Sequence, residues 1–72
     1  MKEYITAYNI WLPMAKNGFS YAQADIAGLY FNGCGVKQNF KEAFEWYVRA
    51  AENNNTYAQY MIGNMYWNCL LY

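Results

Sequence analysis

One phrase occurs twice in this chain, and the repetition limits the folds open to it. The segment SYAQADIAGLYFNG starts at Ser20, and TYAQYMIGNMYWNC starts thirty-six residues later at Thr56. An active site needs different groups that converge, whereas a repeat supplies the same groups twice. A segment reused at a fixed spacing is typical of a structural unit whose neighbouring copies stack and bury a shared core. The sequence therefore favours a scaffold that binds another molecule.

Apolar residues recur at helical spacing through most of the chain. In the two copies of the phrase, the expected buried stripes are Ala22, Ile26, Leu29, Tyr30 and Ala58, Ile62, Met65, Tyr66. The segments that precede each copy carry a similar i, i+4, i+7 pattern at Ala7, Trp11, Met14, Ala15 and at Ala43, Tyr47, Ala50, Ala51. These patterns predict amphipathic helices in the order helix, helix, loop, helix, helix, and thus an all-α fold.

Capping signals predict where the helices begin and end. Three pairs fit the capping box, in which a polar side chain bonds the third helical N–H: Ser20 with Gln23, Asn39 with Glu42, and Thr56 with Gln59. Gly18 and the asparagine run 53–55 stand where the preceding helices must end, because both residue types tolerate the left-handed conformation that closes a helix. Both copies of the phrase are therefore expected to start as helices at their hydroxyl residues.

Small residues and one proline predict how the helices pack. Ala27 and Gly63 follow Ile26 and Ile62, and a bulkier side chain there would hold two antiparallel helices apart. Tyr30 and Tyr66 are expected to fill the gap beside these small residues. Pro13 is expected to interrupt the first helix and kink it, because proline lacks the N–H that the helical hydrogen bond requires.

The segment from Tyr21 to Asn68 resembles the Sel1-like repeat, a relative of the tetratricopeptide repeat (TPR), whose pattern reads A-x-A-Q-x-x-L-G-x-x-Y-x-x-G-x-G-V-x-x-D-x-x-K-A-x-x-W-Y-x-x-A-A-x-x-G. The matching positions include Ala22, Gln23, Ile26, Ala27, Tyr30, Gly33, Gly35, Val36, Ala43, Trp46, Tyr47, Ala50 and Ala51. The resemblance implies one domain, a short α-solenoid of antiparallel helix pairs with about four helices. A complete repeat, 20–55, would lie between the half-repeats 1–19 and 56–72.

By similarity to tetratricopeptide-type arrays, the helices formed by the repeated phrase line the concave face. Each copy carries a stripe that packing is not expected to need, and these stripes also include Ala24, Gly28, Met61 and Asn68. The residues assigned to partner binding are Tyr21, Asp25, Phe31, Asn32, Tyr57, Tyr60, Asn64 and Trp67. Tyr and Trp bury a large area at low entropy cost and are enriched at recognition sites. The alternative is that some of these aromatic residues pack against a neighbouring helix or a second chain.

Composition argues against several classes of function. The five basic and five acidic residues cancel, and the basic residues form no common face, so nucleic acid is not an expected partner. The chain contains no histidine, which removes the usual general base and most metal sites, and we expect neither an enzyme nor a cofactor. The charged run of Lys41, Glu42, Glu45, Arg49 and Glu52 is interpreted as a solvated convex face.

The cysteines and the apolar runs indicate the compartment. Cys34 and Cys69 follow equivalent parts of the two copies, about one repeat step of ~10 Å apart, which is farther than a disulfide can span. We therefore expect two free thiols in a reducing compartment. No signal peptide and no run of about 18 apolar residues is present, so membrane insertion is not expected and the cytoplasm is the predicted location.

The second copy of the phrase has no second helix after it in this sequence. Cys69, Leu70, Leu71 and Tyr72 stand where the pattern has G-x-G-V. The apolar edge left open predicts self-association through the C-terminal edge, or a chain that is part of a longer array.

Three functions stay open from the sequence. The first is a non-enzymatic module that binds a peptide or helix of a partner protein in a concave aromatic groove. The second is a small inhibitor or immunity-type protein that occludes a toxin or enzyme, and the third is a structural oligomer with no external partner.

Overall fold

The computed structural model describes residues 2–67, which form four helices. These helices are α1 (Lys2–Lys16), α2 (Ser20–Asn32), α3 (Phe40–Glu52) and α4 (Thr56–Trp67). Each helix packs mainly against its neighbour in sequence, and the described residues contain no strand. The fold is therefore all-α, a short helical solenoid, as the sequence predicted.

The core lies between consecutive helices and is built largely of the expected stripes. Its buried members are Ala15, Ala22, Gln23, Ala24, Ile26, Ala27, Leu29, Ala43, Trp46, Tyr47, Ala50, Asn55, Ala58, Met61 and Met65. Some expected members are less buried: Tyr30 and Ile62 are half-buried, whereas Met14 and Tyr66 are exposed. Tyr66 still contacts Phe44 in an edge-to-face arrangement with the ring centroids 5.4 Å apart.

The two halves of the structure repeat the same interactions with an offset of thirty-six residues. The Gln23 side chain donates to the carbonyl of Ala15 at 3.0 Å, and the Gln59 side chain donates to the carbonyl of Ala51 at 3.5 Å. Two ring pairs correspond in the same way, Tyr8 with Tyr30 and Phe44 with Tyr66. Gly18 and Asn54, both at positive φ, close the two equivalent turns. Helices α1 and α2 thus pack against each other through the same contacts as α3 and α4.

Two of the three expected capping boxes are absent, because α2 and α4 begin at the residues that were expected to cap them. Ser20 and Thr56 are the first residues inside α2 and α4, one position later than a cap. Asn55 is the residue whose side chain accepts from the N–H of Ala58, at 2.8 Å, and the corresponding Phe19 has no side-chain cap. Asn39 does cap α3 as expected, with Oδ1 accepting from the N–H of Glu42 at 3.0 Å. The box glutamines are instead used between helices.

Two expectations about individual residues were wrong. Helix α1 continues through Pro13 to Lys16, so the proline does not interrupt it, and the expected kink stays a prediction. A Cβ added at Gly63 would meet no atom within 4 Å, so this glycine allows no close helix contact among the described residues. Ala27 at the equivalent position of α2 is completely buried, as expected. The difference arises because α2 is covered by helices on two sides, whereas α4 is covered by α3 alone among the described helices.

No helix in the described part of the chain is long and apolar enough to cross a membrane.

Candidate partner-binding groove

A groove runs along α2 and α4 and consists of two adjoining clefts. The larger, of ≈ 530 Å³, is lined by Tyr4, Ala24, Asp25, Gly28, Leu29, Phe31, Asn32, Cys34, Tyr47, Tyr57 and Met61. The smaller, of ≈ 320 Å³, is lined by Ser20, Tyr21, Ala24, Asp25, Asn54, Asn55, Thr56 and Tyr57. Asp25, Ala24 and Tyr57 line both clefts, so the two join at the start of α4.

The buried Tyr47 of α3 lies at the floor of the larger cleft. Its ring meets that of Tyr57 edge to face, with the centroids 6.2 Å apart. A Cβ added at Gly28 would lie 3.8 Å from the Tyr47 hydroxyl, an ordinary contact distance. Burial raises the pKa of Tyr47, and the neighbouring Tyr57 and Asp25 raise it further, so this hydroxyl keeps its proton. The sequence assigned Tyr47 to the core, and the helical period gave no sign that its hydroxyl reaches the groove.

Among the described residues that line the groove, Asp25 alone carries a formal charge. None of the described residues that line the two clefts is a lysine or arginine. Burial raises the pKa of the Asp25 carboxyl, because partial removal from water disfavours the charged form. Any cation that enters the groove therefore meets a partly desolvated carboxylate.

Four of the eight residues assigned to partner binding lie open to the groove. Tyr21 is 80% exposed, and Asp25 and Tyr57 are also exposed beside it. Asn32 lies at the far end of the larger cleft, where its side-chain amide donates to the carbonyl of Gly28 at 3.1 Å. These four form the part of the predicted stripe that faces the groove.

Other members of the stripe serve packing. Phe31 lines the larger cleft but is half-buried against Phe40 of α3, with the ring centroids 5.3 Å apart. Ala24 and Met61 are buried in the core, contrary to the expectation that packing does not need them. Asn64 is half-buried, and Asn68, like Cys69, lies outside the described residues.

Tyr60 and Trp67 lie on α4 outside the two clefts. Their side chains are 67% and 86% exposed, and neither lines the groove. With the offset of thirty-six residues they correspond to Ala24 and Phe31, which are buried or half-buried in α2. The sequence grouped both with Tyr57 because all three residues fall within one helical stripe.

The charged residues of α3 lie away from the groove. Lys41, Glu45, Arg49 and Glu52 are exposed, in agreement with a solvated face, whereas Glu42 is half-buried. The Arg49 guanidinium lies 4.6 Å from the centroid of the Trp46 ring, a cation–π arrangement. The described residues contain no group of three or more side chains suited to hold a metal ion.

Comparison with known proteins decides the family. The sequence model of the Sel1 repeat matches residues 20–55 and again 56–68. The chain belongs to the Sel1 repeat family. Sel1 repeats are generally non-enzymatic scaffolds that mediate protein–protein interaction. The Sel1 match includes both helices that form the groove.

One relative shares this Sel1 sequence at moderate identity. The sel1-like repeat-containing protein L18 of Acanthamoeba polyphaga mimivirus is 37% identical over 43 residues. The matched part is 60% of this chain and 7% of the relative, so the chain corresponds to a small part of that protein. No solved structure matches the chain.

Proposed function

We propose that this chain is a protein-interaction module that holds a peptide or helix of a partner protein in the groove between α2 and α4. We further propose that the partner contributes a basic side chain, which lies against Asp25. The observation that carries the proposal is the partly desolvated carboxylate of Asp25 in a groove whose described lining has no basic residue.

The Asp25 carboxylate is less stable in the empty groove than it would be beside a basic side chain. A carboxylate that is partly removed from water loses hydration, and a lysine or arginine of a partner would replace it with a charge-assisted hydrogen bond. An acidic segment would add a second negative charge and raise that cost. The groove therefore favours basic over acidic segments.

The aromatic residues around Asp25 support the same ligand. Tyr21 and Tyr57 are exposed and line the smaller cleft with Asp25. Aromatic faces attract ammonium and guanidinium groups, and tyrosine also buries large area at low entropy cost. The side-chain amide of Asn32 stands farther along the groove. An extended segment or one face of a helix could contact both ends.

The remaining assignments are proposals of the same kind. The domain is organised as a complete repeat, 20–55, between the half-repeats 1–19 and 56–72. It acts in the cytoplasm, where reducing conditions would keep the half-buried Cys34 as a thiol.

Selection of binding peptides from a random library displayed on phage tests the ligand. We expect the selected peptides to share a lysine or arginine, and the Asp25→Asn variant to bind them about ten-fold more weakly, equivalent to ~1.4 kcal/mol. Tyr57→Ala should weaken binding as well. The matched control is Glu45→Gln, which neutralises an exposed carboxylate on α3 and should leave affinity unchanged.

Two results would contradict the proposal. The first is a set of selected peptides without any enrichment in basic residues. The second is equal affinity for wild type and Asp25→Asn, since the groove would then bind without its carboxylate. An inhibitor would be recognised by loss of a partner's activity at one fixed stoichiometry.

A further inference from the structure

We infer that copies of this chain stack head to tail, with α1 of one copy seated on α4 of the next. Two faces define this contact. The α4 outer face consists of Tyr60, Ile62, Gly63 and Trp67, and the α1 outer face consists of Ala7, Ile10, Trp11 and Met14. The groove proposed for partner binding is a separate surface.

The first half of the molecule shows what the α4 outer face is shaped to receive. The corresponding residues of α2 are Ala24, Ile26, Ala27 and Phe31, and all of them are buried or half-buried. Helix α3 packs on this side of α2, as the ring contact between Phe31 and Phe40 shows. In α4 the same positions are exposed, apart from the half-buried Ile62. The α4 outer face is thus suited to a helix that packs on α4 in the same way as α3 packs on α2.

The α1 outer face presents that helix. Its residues correspond, with the same offset of thirty-six, to Ala43, Trp46, Tyr47 and Ala50, which are all buried in α3. In α1 the equivalent side chains are less covered: Ile10 is 58% exposed, whereas Trp46 is 7% exposed. Helix α1 of a second copy can therefore pack on the α4 outer face in the same way as α3 packs on α2.

The chemistry of the two faces is compatible. Helix α4 contains no Asp, Glu, Lys or Arg, so covering it buries no charge. The α1 outer face forms a shallow cavity of ≈ 420 Å³ lined by Glu3, Thr6, Ala7, Ile10 and Trp11. Contiguous exposed apolar surface of this kind marks an interaction site.

The two faces differ from each other, and this determines the kind of assembly. A contact between unlike faces leaves one face free at each end, so it can be repeated without limit unless the rotation closes a ring. A contact between two α4 outer faces would instead stop at two copies. The inferred assembly is therefore open-ended and grows with concentration.

Sedimentation velocity on the full 72-residue chain and on two charged variants tests the inference. Ile10→Glu blocks the α1 outer face, and Trp67→Glu blocks the α4 outer face, both at exposed positions. We expect the wild-type mass to rise with concentration beyond two copies, and each variant alone to stay at one copy. A mixture of the two variants should form a heterodimer with one copy of each and no larger species. Lys41→Glu, an exposed change on α3, should assemble like the wild type.

The other outcomes would overturn the inference. A wild-type chain that stays at one copy up to millimolar concentration has no such contact. Dimers of Ile10→Glu alone would indicate that two α4 outer faces meet, and dimers of Trp67→Glu alone would indicate that two α1 outer faces meet. Circular dichroism first establishes that both variants are as helical as the wild type, and Ile10→Gln and Trp67→Gln replace any variant that is not.

Discussion

The side-chain amide of Gln23 donates a 3.0 Å hydrogen bond to the backbone carbonyl oxygen of Ala15, inside the layer between α1 and α2. Its amide oxygen accepts from Asn53, just after α3, at 3.1 Å. One buried side chain therefore joins the ends of three helices, and it adds a second hydrogen bond to the Ala15 carbonyl, which also accepts from the backbone N–H of Gly18.

Replacing Gln23 by alanine should destabilise the fold more than the same change at the equivalent Gln59. The Gln23→Ala change removes two hydrogen bonds and opens a cavity, although the Ala15 carbonyl and the Asn53 amide each keep a bond to Gly18, so we expect a loss of about 1–2 kcal/mol. Gln59 is exposed and its bond is 3.5 Å long, so Gln59→Ala should cost less than about 1 kcal/mol. Urea unfolding followed by circular dichroism measures both, and equal losses would contradict the prediction.

Alanine should have opposite effects at two glycines. Gly35 has a φ of 75°, and an added Cβ would lie 2.7 Å from the carbonyl carbon of Tyr4, which is backbone and cannot move alone. Gly35→Ala should therefore destabilise the fold by about 2 kcal/mol or more. Gly63 is helical with open space beside it, so Gly63→Ala should stabilise by about 0.5–1 kcal/mol.

Thermal unfolding in dilute solution, where one copy is present, compares these two variants with the wild type. Destabilisation by Gly63→Ala would show that this glycine is already in close contact with another helix, contrary to its exposure here.

The cap of α4 should depend on Asn55 and not on Thr56. Asn55 is buried and its side-chain oxygen accepts from the N–H of Ala58 at 2.8 Å. Asn55→Ala should cost about 1 kcal/mol, the usual value for a lost cap, while Thr56→Ala should change stability by less than about 0.5 kcal/mol. Chemical unfolding of both variants measures the difference. The reverse order of effects would restore the capping box that the sequence suggested.

Stability should fall in alkaline solution because of Tyr30. Burial raises the pKa of Tyr30 to about 12, helped by a hydrogen bond to the Tyr8 hydroxyl and by the charges of Tyr8 and Glu42. The ordinary pKa of tyrosine is ~10, so the unfolded chain loses this proton first as the pH rises. The stabilisation is complete below pH ~10 and is lost as the pH rises through about 12.

Urea midpoints at pH 8 and at pH 11 measure this loss in the wild type and in Tyr30→Phe. The variant should lose less stability between the two values, with the remainder due to Tyr47, whose pKa is raised in the same direction. An identical decline in both proteins would assign the effect to other groups.

The helices were predictable from the sequence because each repeats its apolar residues with the helical period and ends at a residue suited to a turn. The helix starts were harder, because Ser20 and Thr56 suit the first turn of a helix as well as the cap. Only the backbone conformation of the preceding residue, extended at Phe19, separates the two possibilities. Gln23 was assigned to a local bond for the same reason, although its partner is in another helix.

The groove was predictable only in part. Tyr57, Tyr60 and Trp67 fall within about 80° of one another around α4, since successive residues are ~100° apart. The helical period alone does not separate residues that lie so close together around the helix. Which of them line the groove depends on which neighbouring helices are present. Tyr60 and Ala24 occupy the same position in successive units, yet Ala24 is buried and Tyr60 is exposed. The exposure of a residue at this position therefore depends on the helices around it.

The sequential packing of the helices also bears on how the chain folds and opens. Contacts between helices that follow each other in sequence require only short loops to close, which is the topology of fast-folding proteins. Helices α1 and α4 each have one main neighbour, whereas α2 and α3 have two. Backbone amides in α1 and α4 should therefore exchange with solvent deuterium through partial opening, before those of the central pair. A partner protein that binds α1 or α4 would suppress this opening. It would then slow the exchange of all amides in that helix, including those that it does not touch.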